Sequence, residues 1–118
     1  MAIFVFTDIK AWQKAHELTL KVYKTTESFP REEVYCLTSQ IRRCAISVPS
    51  NIAEGFKRKT KNDSMHFYTI ALSSLEELKY QLILAQDLGY ISKELFTEVS
   101  ILADEVGKLT FGWTRVQK

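Results

Sequence analysis

Glycine and proline are scarce in this sequence, with four of one and two of the other among 118 residues. Sheet proteins consume such residues in turns every few positions, so the shortage argues against an all-β chain and for a few long helices. Cysteine and histidine are scarce too. Cys36 and Cys44 lie in what reads as one helix, separated by about 12 Å of axial rise. A disulfide needs Cα atoms within about 7 Å, so both read as small buried or half-buried thiols. His16 and His66 fall in different segments and no Cys/His pair has a ligand-like spacing, so no metal is assigned and no cofactor is expected. A phosphate-binding glycine loop, a zinc motif and a nucleophile–base pair are all missing, which leaves no basis for an enzyme. Apolar runs long enough to span a bilayer are missing as well. The apolar tip of MAIFVFTDIK lacks the basic flank of a signal peptide. A cytoplasmic protein with no membrane partner is expected.

What the chain does have is helical periodicity. Hydrophobic residues make up 46% and charged residues 25%, the balance of an ordinary globular protein and not of a disordered one. The expectation is one domain over residues 1–118. Leu95, Val99, Leu102, Val106, Leu109 and Trp113 recur at alternating steps of four and three and form one helical stripe. Val34, Leu37, Ile41, Cys44 and Val48, with Ile52 beyond, form a second, and Ala11, Ala15, Leu18 and Val22 a weaker third. From Asp63 to Leu88 one stripe carries Phe67, Ala71, Ser74, Leu78, Leu82 and Ala85, but further apolar residues lie off it, too many for one core face.

The breaks between stripes have their own chemistry. Phe29-Pro30 ends the first helix, with Pro30 placed to enter the second, where a missing N–H costs nothing. Thr60 to Asp63 is polar, with Asn62 or Asp63 available as an N-cap. Gly89 suits a left-handed helix end and Ser92 suits the next cap. Short connections between long helices favour antiparallel neighbours, so the predicted fold is all-α, an up-down-up-down four-helix bundle. Pro49 falls inside the second stripe. It removes a donor and crowds the carbonyl of Ala45, yet the stripe stays in register through Ile52, so the reading is a second helix from about Glu32 to about Lys57, kinked near Pro49. Ser47 and Ser50 are local partners for freed backbone groups. The spacing Asn51 to Glu54 also fits a capping box, and a helix restarting at Asn51 is the alternative.

The stretches FTDIKAWQKAHEL, FPREEVYCLTSQIRRCAISVPSNIAEG and FYTIALSSLEEL together resemble the 23S rRNA intervening-sequence protein family, and the run from Ser39 to Gly55 is the most specific part. The resemblance covers nearly the whole chain and implies a small four-helix bundle. One departure is Ser73-Ser74, where the family usually has Gly-Ser. The family is also similar to the accessory protein of diversity-generating retroelements, a pentameric bundle with a basic surface that engages nucleic acid and a reverse transcriptase. The resemblance therefore implies a homo-oligomer, a pentamer, and an RNA or DNA partner, without catalysis.

Charge distribution bears on this separately. Residues 31–61 carry seven basic against three acidic groups, a local +4, whereas residues 62–91 carry one against four, a local −3. Lys57, Arg58, Lys59 and Lys61 cluster at the end of the basic segment and suit phosphate neutralisation. The alternative for them is a solvated helix end whose cations complement the dipole. Arg42 and Arg43, next to the core position Ile41, are expected to pair with Glu54 or Glu77 as a structural ion-pair network, within a subunit or across an interface. Asn51 is read as a hydrogen-bonding residue of the backbone or an interface. The apolar surplus of the third helix predicts an oligomer interface through Tyr68, Leu72 and Leu75, together with Ile3, Phe4 and Phe6 of the N-terminal tip. Two functions follow: an RNA-associated oligomeric adaptor, or a protein-binding scaffold without a nucleic-acid role.

Overall fold

The computed structural model describes residues 2–116. Four helices fill it: α1 Lys10–Thr26, α2 Leu37–Phe56, α3 Lys61–Asp87 and α4 Lys93–Val116. Short 3-10 turns at Phe6–Asp8 and Arg31–Glu33 precede α1 and α2, and no strand occurs among the described residues. Each helix packs on its chain neighbours, and α1 packs on α4 to close the ring. The pairs run antiparallel: Lys14 meets Glu105 while Lys21, seven residues on, meets Glu98, seven residues back. The result is the expected up-down-up-down bundle, about 44 Å long.

The apolar stripes account for the core. Ala11, Ala15, Leu18 and Val22 of α1 and Leu37, Ile41, Cys44, Val48 and Ile52 of α2 are buried. So are Ala71, Leu78, Leu82 and Ala85 of α3 and Val99, Leu102 and Val106 of α4. A large aliphatic side chain contributes roughly 1.5–3 kcal/mol when removed from water. The rim pairs Lys14–Glu105, Lys21–Glu98 and Lys79–Asp104 are partly exposed and add at most about 1 kcal/mol each.

Helix ends follow local chemistry, with departures from expectation at the starts of α2 and α3. The α3 terminus is as predicted: Gly89 has φ 81°, its N–H donates to Gln86 O and that of Tyr90 donates to Ala85 O. This is the paired bonding of a Schellman end. Gly89→Ala is expected to cost about 1–2 kcal/mol, because a Cβ crowds the carbonyl in that conformation, and urea unfolding followed by circular dichroism will read it. Ser92 Oγ caps α4 by accepting from Leu95 N–H at 3.1 Å. At the start of α3, however, the cap is Thr60, whose Oγ1 accepts from Asp63 N–H. The start of α2 also moves, from about Glu32 to Leu37. Pro30 opens a 3-10 turn instead of the helix, and Cys36 at φ −122°, ψ −106° breaks the path between them. Val34 and Cys36 are consequently exposed, and Cys44 alone of the two thiols is buried. Burial pushes the Cys44 thiol above its ordinary 9.0.

Pro49 lies inside α2, and the helix continues through it to Phe56. A restart at Asn51 is thereby excluded. The carbonyl that Pro49 leaves without a helical donor is that of Ala45, and its partner comes from another helix: Thr19 Oγ1 of α1 donates to Ala45 O at 2.9 Å. Ser47 and Ser50, the local candidates, do not reach it. Ser47 Oγ instead shares a 2.7 Å bond with Ser74 of α3, and Asn51 Nδ2 donates to Ser47 O and Oγ.

Small residues line the contact of α2 with α3. A Cβ on Gly55 would lie 2.5 Å from Tyr68 Cε1, so the ring occupies the space that the missing side chain leaves. Tyr68 is 1% exposed and Leu75 is 2% exposed. Both belong to the core of the chain itself, which corrects the expectation that they form an oligomer contact. Burial pushes the Tyr68 phenol above its ordinary 10.0, partly offset by the Trp113 indole. Ser73, which stands where the resemblance has glycine, is exposed and leaves the α2–α3 contact untouched.

Candidate nucleic-acid interface

The basic cluster occupies the tight connection between α2 and α3. Main-chain bonds from Lys57 N to Glu54 O and from Arg58 N to Gly55 O finish α2, Ser64 Oγ donates back to Gly55 O, and Thr60 starts α3. The turn is thus fastened at both ends. Lys57, Arg58, Lys59 and Lys61 are all exposed. Arg58 differs from the other three. Its Nη2 donates to Glu54 Oε2 at 2.9 Å, and its guanidinium lies 4.4 Å from the centre of the Phe67 ring. Its position and much of its charge are therefore taken up within the bundle. Among the described residues no carboxylate pairs with Lys57, Lys59 or Lys61.

The expected network of Arg42 and Arg43 with Glu54 and Glu77 is not formed within the chain. Arg42 turns toward α1: its Nε–H donates to Thr26 Oγ1 at 2.8 Å, and the guanidinium lies 4.6 Å from the centre of the Tyr23 ring. A cation there complements the carbonyl end of α1. Glu54 is about 18 Å away from Arg42 along α2 and has Arg58 one turn off instead. Arg43 is exposed on the outer face of α2, and no ion pair joins it to Glu77, which lines the groove between α2 and α3. Spacing within α2 signals the Glu54–Arg58 pair, four residues apart. The docking of Arg42 on α1 has no such local signal.

Of the residues expected at an oligomer contact, Ile3 and Phe6 fold back against the core, Leu72 is half-buried beside Phe111, and Phe4 remains 81% exposed. The apolar surplus of α3 lies nearer its C-terminus, at the exposed Tyr80 and Ile83, with Leu88 just beyond the helix. Glu33 is a structural residue that the sequence reading passed over. Its carboxylate accepts from Leu37 N–H at the start of α2 and from Tyr90 OH at 2.7 Å, which ties the two connections at that end of the bundle together.

No group of three His, Cys, Asp or Glu side chains able to hold a metal occurs among the described residues, and no described helix is long and apolar enough to cross a membrane. The class defined by these features is a compact antiparallel four-helix bundle that carries a fastened basic turn at one end. The sequence matches the family model described as 23S rRNA-intervening sequence protein over residues 7–112, and the chain belongs to that family. A similar solved structure is that of a protein of unknown function from the S23 ribosomal protein family of Bacteroides thetaiotaomicron. It has a TM-score of 0.82 and 22% sequence identity, over 90% of this chain and 96% of that one. At that identity the likeness establishes the fold alone. No curated protein matches the sequence.

Proposed function

We propose that the protein is a non-enzymatic, RNA-associated adaptor that works as a homo-oligomer. The observation that carries this reading is the α2–α3 turn, where Lys57, Lys59 and Lys61 are exposed, held on a fastened backbone and left without carboxylate partners. Cations in that condition are available to phosphates and gain from counterion release. The family description, which refers to 23S rRNA, supports RNA as the polyanion. One subunit offers few phosphate contacts, whereas a ring of copies repeats the turn and raises avidity without new chemistry. The pentamer implied by the sequence resemblance is the proposed ring, with Phe4 as an exposed apolar contact.

A titration of structured RNA across a salt series tests the reading. Lys57→Glu, Lys59→Glu and Lys61→Glu together are expected to abolish binding while helicity is retained. Replacing them singly by Ala should lower the salt slope by about 0.7–0.9 per lysine. Arg58 is left in place because changing it would also break the Glu54 pair and the Phe67 contact. Binding that survives the triple reversal moves the site elsewhere. If the parent protein does not bind RNA at low salt, the second reading prevails, a protein-binding scaffold that uses the exposed Tyr80, Ile83 and Leu88.

A further inference from the structure

The groove along the outer face of α2, bordered on one side by Tyr23 of α1, differs from three other hollows on the bundle in lacking a carboxylate. Those three carry carboxylates: Glu33 and Glu77 between α2 and α3, Glu98 beside Lys21 and Lys24 between α4 and α1, and Glu76 with Asp104 beside Lys79 and Lys108 between α3 and α4. This open hollow of about 760 Å³ is lined by Arg42 and Arg43, by Tyr35, by Tyr23 of α1, and by hydroxyl, amide and aliphatic side chains, with no carboxylate. At Ile46 and Ser50 it adjoins a second hollow of about 330 Å³, also free of carboxylates, in which Trp12 stacks on His16 with ring centres 5.1 Å apart. Aromatic rings, guanidinium groups and the absence of negative charge therefore coincide along one groove.

Tyr35 is the most telling residue in it. Its ring is 92% exposed, although an aromatic side chain has roughly 150–250 Å² to gain from burial. The ring is not on a loose loop. Val34 N donates to Arg31 O and Cys36 N to Glu33 O, and the Glu33 carboxylate is held in turn by Leu37 N–H and Tyr90 OH. Arg42 is fixed over Tyr23 and bonded to Thr26, so one guanidinium is preset in the groove wall while Arg43 beside it is exposed and without a carboxylate partner among the described residues.

We propose that this groove seats single-stranded nucleic acid, with a base stacked on Tyr35 and the adjoining phosphate on Arg43. Unpaired bases stack on tyrosine rings and guanidinium planes whatever their sequence, and a duplex, whose bases are already stacked, cannot use such a platform. The α2 geometry links this seat to the basic turn: fourteen residues separate Arg43 from Lys57, about 21 Å of rise and close to four full turns, so both lie on nearly one face of the helix. A strand leaving the groove along α2 reaches Lys57, Lys59 and Lys61. The inference rests on the proposed nucleic-acid role and adds to it a preference for unpaired RNA or DNA.

Fluorescence anisotropy with a labelled twelve-nucleotide oligo(U) and a twelve-base-pair RNA duplex, at one low salt concentration, tests it. The parent is expected to bind the single strand more tightly. Tyr35→Ala with Arg43→Ala should weaken single-strand binding about tenfold or more and leave duplex binding unchanged, and Tyr35→Trp should restore the stacking share. Both side chains are exposed, so circular dichroism should report an intact fold. Equal losses on the two probes, or no loss on oligo(U), would overturn the groove while leaving the RNA-associated function standing. Binding of the duplex alone would do the same. No binding of either probe by the parent would overturn both.

Discussion

Gly55→Ala is expected to lower the stability of the bundle by about 1–3 kcal/mol, the usual cost of forcing atoms into a filled core. The added Cβ would stand 2.5 Å from Cε1 and 2.8 Å from Cδ1 of Tyr68, and real carbon atoms do not approach so closely. A flexible side chain would swing aside. Tyr68 cannot, because its ring is rigid, 1% exposed and enclosed between α2 and the Trp113 end of α4. Relief requires α2 and α3 to separate, and the same separation would stretch the 2.7 Å bond between Ser47 and Ser74 two turns away. The measurement is urea unfolding of Gly55→Ala, Tyr68→Leu and the double variant. In the Tyr68→Leu background the alanine should cost at least about 1 kcal/mol less, within the range of coupling for residues in contact. A Gly55→Ala protein as stable as its parent would show that the close approach contributes nothing.

Thr19→Val should be the other large loss, about 1–3 kcal/mol, because it leaves the buried carbonyl of Ala45 without a donor. Valine keeps the shape of threonine and removes only the hydroxyl, so packing is not the variable. Thr19 Oγ1 also lies 2.9 Å from Ala15 O in its own helix, but that carbonyl has its ordinary helical donor, whereas Pro49 denies one to Ala45. The decisive comparison is therefore made in a Pro49→Ala background. There residue 49 regains an N–H directed at Ala45 O, and Thr19→Val should become nearly neutral. Equal costs in the two backgrounds would separate the threonine from the proline.

The two variants mark the boundary of what a sequence reading reaches. The stripes of α1 to α4 are legible because burial on one face imposes a period of 3.6, and each of their central members is buried. Gly89 and Ser92 are legible because their roles depend on φ and on a hydroxyl three residues from an N–H, which are local properties. The in-register stripe correctly carried α2 through Pro49. The start of α2 is not legible, because Val34 continues the apolar period by chance while the backbone at Cys36 leaves the helical region. In the candidate interface, the cluster of lysines is visible as a run of letters. That Arg58 is tied to Glu54 and Phe67 while its three neighbours are not is visible only in part, through the four-residue spacing to Glu54.

The sequence by itself determined four amphipathic helices, their order, the breaks between them and the concentration of positive charge at the α2–α3 turn. All of these depend on residues within a turn or two of one another, where period and capping chemistry act directly. Tertiary structure alone decided that Thr19 answers for Pro49, that Gly55 makes room for Tyr68, that Arg42 caps α1 instead of joining Glu54 or Glu77, and that Tyr23 of α1 borders the carboxylate-free groove along α2. Each of these joins residues from different helices. Such partners are set by the rotation and axial register of one helix against its neighbour, which follow from packing of the whole core.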